Sequence, residues 1–224
     1  MYIRHVPHVI KALIFDMDGV LIDSMHLHAK AWKTAFFEAG INIEEREIFG
    51  LEGENDTGIV RNILNMTKKG CCMQEELFMS VPARKHEIFD RDSVTIFKDM
   101  DTCLKLLKKR YKLAVVSGSD RKTVEMMLQR YFPGIFDVAV SGDDTINGKP
   151  EPDPYNKAVE MLQTDKQECI VIENAILGVI SAKNAGIFTI GLPTYLDRKE
   201  LRHADIVLDD HGELFRFLEL LMRT

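Results

Sequence analysis

Asp16, Asp18 and Asp23 stand close together in the stretch IFDMDGVLIDS, directly behind an apolar run. Carboxylates at that spacing repel one another, so the cluster calls for a chemical reason rather than a stabilising one. Three further groups of reactive side chains lie behind comparable apolar runs. Ser117-Gly118-Ser119 follows the run 113–116, Lys149 lies in NGKPEPDPY after 138–140, and Glu173-Asn174 follows 170–172. If those runs are parallel strands, their carboxyl ends form one crevice, which is where open α/β sheets collect ligands. One acid at a strand end would mean little. Acid, hydroxyl, amine and acid–amide at four strand ends in this order form a set that can hold and transform a charged ligand.

The elements that would position this set are legible in the apolar pattern. Short apolar runs recur at 12–15, 113–116, 138–140, 170–172, 188–190 and 206–208. Helical spacing appears between them: Cys103, Leu104, Leu106 and Leu107 before Tyr111, then Val124, Met127 and Leu128 before Phe132, then 155–162 and 176–185. Continuous apolar strands alternating with amphipathic helices predict a doubly wound parallel sheet covered on both faces. The first strand, 10–15, is separated from the second by a long stretch without strand signal, which reads as helices at 27–39, 59–64 and 75–89. A crossover needs far less chain. The prediction is therefore an α/β core formed by 1–23 and 97–224, with an α-helical cap at 24–96 and hinges near Ser24 and 94–97.

Bulk properties narrow the class. With 224 residues, 46% hydrophobic and 29% charged, the chain suits a soluble core with a smaller second unit. A net charge of −6 argues against a general nucleic-acid binder. Arg4, His5, Pro7, His8 and Lys11 interrupt the first apolar residues, which breaks a signal-peptide pattern, and no run is long enough for a membrane helix. Cys71, Cys72, Cys103 and Cys169 include no C-x-x-C pair, and the adjacent pair is poorly placed for a disulfide. A soluble cytoplasmic protein with reduced thiols and no structural zinc is expected; the oligomeric state is not legible.

DMDGV at 16–20, Ser117, Lys149 and ENAILGV at 173–179 resemble the four successive motifs of the haloacid dehalogenase superfamily of phosphotransferases. FDMDGVLIDSMHLHAKAW followed by a small helical insert is most similar to its β-phosphoglucomutase-like branch, and the likeness spans the whole chain. The resemblance implies Mg²⁺-dependent chemistry on a small phosphorylated molecule, with neither nucleic acid nor membrane as partner. Asp16 would attack phosphorus to give an aspartyl-phosphate, and Asp18 would serve as general acid and then as base. Ser117, Gly118 and Ser119 would meet the phosphoryl oxygens, and Gly19 would let the chain turn beside them. Lys149, stiffened by Pro150, Pro152 and Pro154, and Mg²⁺ held by Asp16, Asp18, Glu173 and Asn174 would offset the anionic charge. In the cap, His28 matches a substrate-facing histidine, whereas His26 points elsewhere. Lys85 in ARKHEIF is the candidate cap-side cation, with Arg84 as the exposed alternative.

Two departures from that branch carry the substrate reading. Its fourth motif usually holds two acids, and Asn174 brings no charge. Its cap loop carries cations that grip a sugar phosphate, whereas GLEGEND places Glu52 and Asp56 there. If Glu52 swings in on cap closure and ligates Mg²⁺, it restores the missing anion and leaves a small cavity. That pairing resembles the inorganic pyrophosphatases of the branch. The expectation is a Mg²⁺-dependent phosphohydrolase with pyrophosphate as favoured substrate. The alternatives are a β-phosphoglucomutase or sugar-phosphate phosphatase, and a non-catalytic phosphate-binding domain. Otherwise Glu52 is a solvated loop acid. Asp23 and Ser24 are expected to cap the first cap helix, and Met126, Met127 and Trp32 to fill the core.

Overall fold

The computed structural model describes residues 6–67 and 74–223. The chain runs through β1 (Ala12–Asp16), β2 (Ile22–Asp23), α1 (Met25–Glu38), α2 (Glu45–Phe49), α3 (Asp56–Met66), α4 (Gln74–Ile88) and β3 (Thr95–Ile96). It continues through α5 (Met100–Leu107), β4 (Lys112–Val116), α6 (Arg121–Tyr131), β5 (Val138–Val140) and α7 (Asp153–Leu162). The last elements are β6 (Cys169–Glu173), α8 (Ile176–Asn184), β7 (Phe188–Gly191), β8 (Ile206–Val207) and α9 (His211–Arg223).

Six strands form a parallel sheet in the order β5-β4-β1-β6-β7-β8. The burial pattern explains why this sheet is sandwiched. Leu13, Phe15, Leu113, Val115, Ile170 and Ile172 join Leu104, Met127 and Leu218 in one core. Ala12, Ile14, Ala114, Val116 and Val171 join Tyr155, Ala158 and Ala182 in another, on the opposite face. Alternate residues of each strand therefore feed opposite layers, as the period of two demands. The expected doubly wound fold is present, and the register aligns Asp16 with Val116 and Phe15 with Ile172, so β1, β4 and β6 end side by side.

Helices α1 to α4 pack on a core of their own, centred on Trp32, Phe36, Ile59, Ile63 and Val81. The chain enters and leaves them through an antiparallel pairing of β2 with β3, Ile22 opposite Ile96 and Asp23 opposite Thr95. The sequence showed no strand between the first and second apolar runs, because two residues are too few to display a period. The short α2 escaped for the same reason. We propose this two-stranded ribbon as the border between core and cap, close to the expected hinges.

Some local expectations are corrected. Ser24 occupies the position ahead of α1, yet no side chain caps that helix. Met127 is buried, but Met126 is only half-buried, since neighbours on a helix point about 100° apart. Cys103 and Cys169 are free thiols, and Cys71 and Cys72 lie outside the described residues. Among the described residues no helix is long and apolar enough to cross a membrane.

Candidate active site

Asp16 ends β1, Ser117 follows β4 and Glu173 ends β6, so the sheet itself gathers them. Lys149 completes the group. Its Nζ donates to Asp16 Oδ1 at 2.5 Å, to Glu173 Oε1 at 2.6 Å and to the Val116 carbonyl at 3.3 Å. The hydroxyl of Tyr155 adds a bond to Glu173 Oε1 at 3.0 Å, and the Ala175 amide donates to Oε2 at 2.8 Å. Both oxygens of Glu173 are thus engaged. All four side chains are buried. Burial works against the ammonium of Lys149, but Asp16 and Glu173 outweigh it and hold its pKa well above the ordinary value. Burial pushes the Asp16 carboxyl well up; Lys149 opposes that, while the charges of Glu173 and Asp18 add to it. Tyr155 was read from sequence only as the start of a helix; its signal is that a buried phenol needs a partner.

Asp18 lies two residues on. Its Oδ1 accepts from Ser24 Oγ at 2.5 Å and contacts His28 Nε2 at 3.2 Å, and its Oδ2 accepts from Ser117 Oγ at 3.2 Å. The Ser119 amide donates to Ser117 Oγ at 3.1 Å and orients it. Burial would raise the Asp18 carboxyl, but His28, Ser24 and Lys85 overcome it and set the pKa at about 2. His28 stacks on Phe89, and burial followed by the charge of Lys85 pushes its ring below the ordinary value. The ring meets Asp18 through its Nε2. Ser24 serves the carboxylate instead of the helix, because the tight turn between Asp18 and Ile22 folds the chain back on itself. Asp23 likewise does not cap: its Oδ1 accepts from the Tyr195 hydroxyl at 2.5 Å. Ser24→Ala removes the shortest donor to ionised Asp18, so its pKa should rise. An NMR titration of the Asp18 carboxyl in the variant should show the higher value; an unmoved titration would contradict this contact.

Between these groups and the cap lies a cavity of about 40 Å³, room for about two or three waters. Asp16 and Asp18 form its floor, while Glu52, His28, Lys85 and Trp32 line its roof. Glu52 is buried: its Oε1 accepts from Asn174 Nδ2 at 2.6 Å, whereas Glu52 Oε2 and Asn174 Oδ1 have no partner. Burial drives the Glu52 carboxyl well above its ordinary value; the Asn174 bond opposes that, and Asp16, Glu173 and Asp18 reinforce it. Of the two candidate cap cations, Lys85 is buried over the rings of Trp32 and Phe89, at 5.2 and 5.7 Å, while Arg84 is exposed and pairs with Glu38 and Glu87. Trp32 thus faces the cavity as well as the cap core. Asp56 is not bare, since Lys85 Nζ lies 3.8 Å and His86 Nε2 2.8 Å from its carboxylate.

Two glycines are required here. Gly19 has φ +84°, and a Cβ on it would stand 2.2 Å from Asn174 Nδ2. At Gly118 a Cβ would meet the carbonyls of Glu54 and Gly53 at 2.5 and 2.6 Å, so this residue seats the cap loop. Among the described residues no three acidic, histidine or cysteine side chains converge as a closed metal set. A mixed set does fit a hard divalent cation: the Asp16 carboxylate with the unpartnered oxygens of Glu52 and Asn174.

Comparison with known proteins gives a consistent picture. A family model described as haloacid dehalogenase-like hydrolase matches residues 13–192. The chain is similar to validoxylamine A 7'-phosphate phosphatase of Streptomyces hygroscopicus subsp. limoneus, 29% identical over 209 residues that cover 91% of this chain and 95% of the relative. It is similar to pyrophosphatase PpaX of Bacillus mycoides, 27% identical over 216 residues, covering 93% and 97% respectively. A solved structure from Bacteroides vulgatus, provisionally assigned as a beta-phosphoglucomutase, superposes with a TM-score of 0.88 at 29% identity, covering 98% of this chain and 91% of that one.

Proposed function

The chain belongs to the haloacid dehalogenase-like hydrolase family, and from that premise we propose that it is a Mg²⁺-dependent phosphohydrolase acting through an aspartyl-phosphate, with inorganic pyrophosphate as favoured substrate. The observation that carries the reading is the contact of Glu52, an acid delivered by the cap, with Asn174 on the core. Asp16, Glu52 and Asn174 are the donors we assign to the cation; Glu173, engaged on both oxygens, holds Lys149 instead, and the Asp18 carboxylate, whose oxygens meet Ser24, His28 and Ser117, is kept for proton transfer. When bound, Mg²⁺ supplies the positive charge that favours the ionised carboxylates and offsets the anionic phosphoryl group.

The residues divide the reaction between them. Lys149 fixes Oδ1 of Asp16, leaving Oδ2 to attack phosphorus. The bond from phosphorus to the bridging oxygen breaks, and the departing phosphate takes a proton from Asp18. With a pKa near 2 the resting Asp18 is ionised; an anionic substrate beside it raises that value and lets it carry the proton. In the second half, ionised Asp18 takes a proton from water as that water attacks the phosphoryl group, and Asp16 is released with phosphate. Ser117, held by Asp18 and by the Ser119 amide, faces the same phosphoryl oxygens.

Pyrophosphate is favoured because the cap loop offers the acids Glu52, Glu54 and Asp56 to the cavity rather than a second row of cations. A second reading, a small organic phosphomonoester, is favoured by the apolar wall of Met25, Trp32, Ile48 and Ile59. A phosphate-release panel with Mg²⁺ separates the two. Turnover of pyrophosphate at least about ten-fold above glucose 6-phosphate and other sugar phosphates is expected; the reverse order would sink the first reading. Glu52→Gln should raise the Mg²⁺ concentration for half-maximal rate about ten-fold; an unchanged value would return Glu52 to a loop acid.

A further inference from the structure

We infer that Tyr195 is a positioning residue that docks the cap so that Glu52 reaches Asn174; the inference rests on the proposed role of Glu52. Tyr195 lies in the loop after β7, on the core side. Its hydroxyl is tied to Asp23 Oδ1 at 2.5 Å, at the ribbon that leads into the cap. Its ring meets that of Phe49 at a centroid distance of 5.8 Å and an angle of 40°. Phe49 is the last residue of α2, and the turn that follows delivers Glu52: the Glu52 amide donates to the Phe49 carbonyl at 3.4 Å. One edge of the phenol also lies where a Cβ on Gly19 would be, 2.9 Å away, next to the Asn174 amide.

A single core side chain therefore touches the loop behind Asp18, the entry to the cap and the helix that aims Glu52. Neither Tyr195 nor Phe49 lines the catalytic cavity. Aromatic contact is suited to such a dock, because it forms and parts as a unit and costs little side-chain entropy. Burial and then Asp23 raise the Tyr195 hydroxyl, so it stays a neutral donor. That bond holds the ring in place, and Phe49 is its partner on the cap side.

Trp32, the sole tryptophan, provides a readout independent of turnover, since it is buried in the cap and faces the cavity. In ligand-free Tyr195→Ala and Phe49→Ala, acrylamide quenching of its fluorescence should rise about two-fold or more as the cap spends more time undocked, with Tyr195→Phe close to native. In phosphate release from pyrophosphate, both alanine variants should raise the Mg²⁺ requirement about five-fold with a smaller change in kcat. Combining Tyr195→Ala with Glu52→Gln should add nothing to Glu52→Gln alone. Native quenching in both alanine variants would overturn the docking role. Raised quenching with an unchanged Mg²⁺ requirement would overturn the link to Glu52. If the native protein does not hydrolyse pyrophosphate, the substrate assignment falls, while the quenching comparison still decides whether Tyr195 docks the cap. Phe49→Ala tests the same contact from the cap side should Tyr195→Ala fail to fold.

Discussion

Asp16→Asn is expected to lower phosphate release by at least about 10⁴-fold, because the amide cannot form the acyl-phosphate bond on which the mechanism turns. The same variant should be no less stable than the native protein. Asp16 is a buried carboxylate held above its ordinary pKa by desolvation and by Glu173 and Asp18. A group whose folded pKa is raised supports folding below its unfolded pKa, and that support fades as pH climbs through the folded value. The amide has no such dependence, and its oxygen can still accept from Lys149, which also keeps Glu173. The stability of the variant relative to native should therefore improve as pH rises above about 4. Urea melts at two pH values, beside a phosphate-release assay, check both halves; wild-type turnover would end the covalent mechanism.

Lys149→Met should be costly in both respects. The ammonium stands between Asp16 and Glu173, and methionine keeps much of the stem while leaving two carboxylates buried without a cation. Removing one partner of such a cluster costs about 3–5 kcal/mol at neutral pH. The sign of its pH dependence follows from the carboxylates. Without Lys149 the folded pKa of Asp16, already raised, rises further above its unfolded value, so the deficit is largest at neutrality and shrinks toward about pH 4, where that carboxyl is protonated. Activity should fall about 10³-fold, from the loss of charge at the phosphoryl group and of the hold on Asp16 Oδ1. Equal stability of variant and native protein at pH 7 would show that this cluster is not the charged assembly described.

The legible part of the site is the part fixed by strand ends. Asp16, Ser117 and Glu173 each stand where an apolar run stops, and the parallel register does the rest. Glu52 was reachable only by joining two distant departures, an anion missing at position 174 and an acid present in the cap loop. Ser24 was misread because serine ahead of a helix is a common cap, whereas its hydroxyl turns to Asp18 through a fold of the chain that no local pattern encodes. Gly118 was expected to serve the phosphate, and its crowding by the carbonyls of Gly53 and Glu54 is a contact between backbones that side-chain types do not report. Tyr155 and Tyr195 carry no motif; their roles exist only once the helix after Lys149 and the loop after β7 are in place.

The central place of β1 has a consequence for the chain as it is made. β1 emerges first among the strands, yet its neighbours are β4 and β6, so no sheet partner is available until Lys112–Val116 has been synthesised. That is roughly 100 residues later, or about 5–20 s at common rates of translation. Through that interval Ala12-Leu13-Ile14-Phe15 is an unpaired apolar strand, the kind of segment that seeds aggregation. The four-helix insert, with a core of its own, can collapse meanwhile. Lys11 on one side and Asp16 and Asp18 on the other bracket the waiting strand with charge, as gatekeepers do. The two carboxylates thus have a use on the nascent chain that does not depend on any ligand.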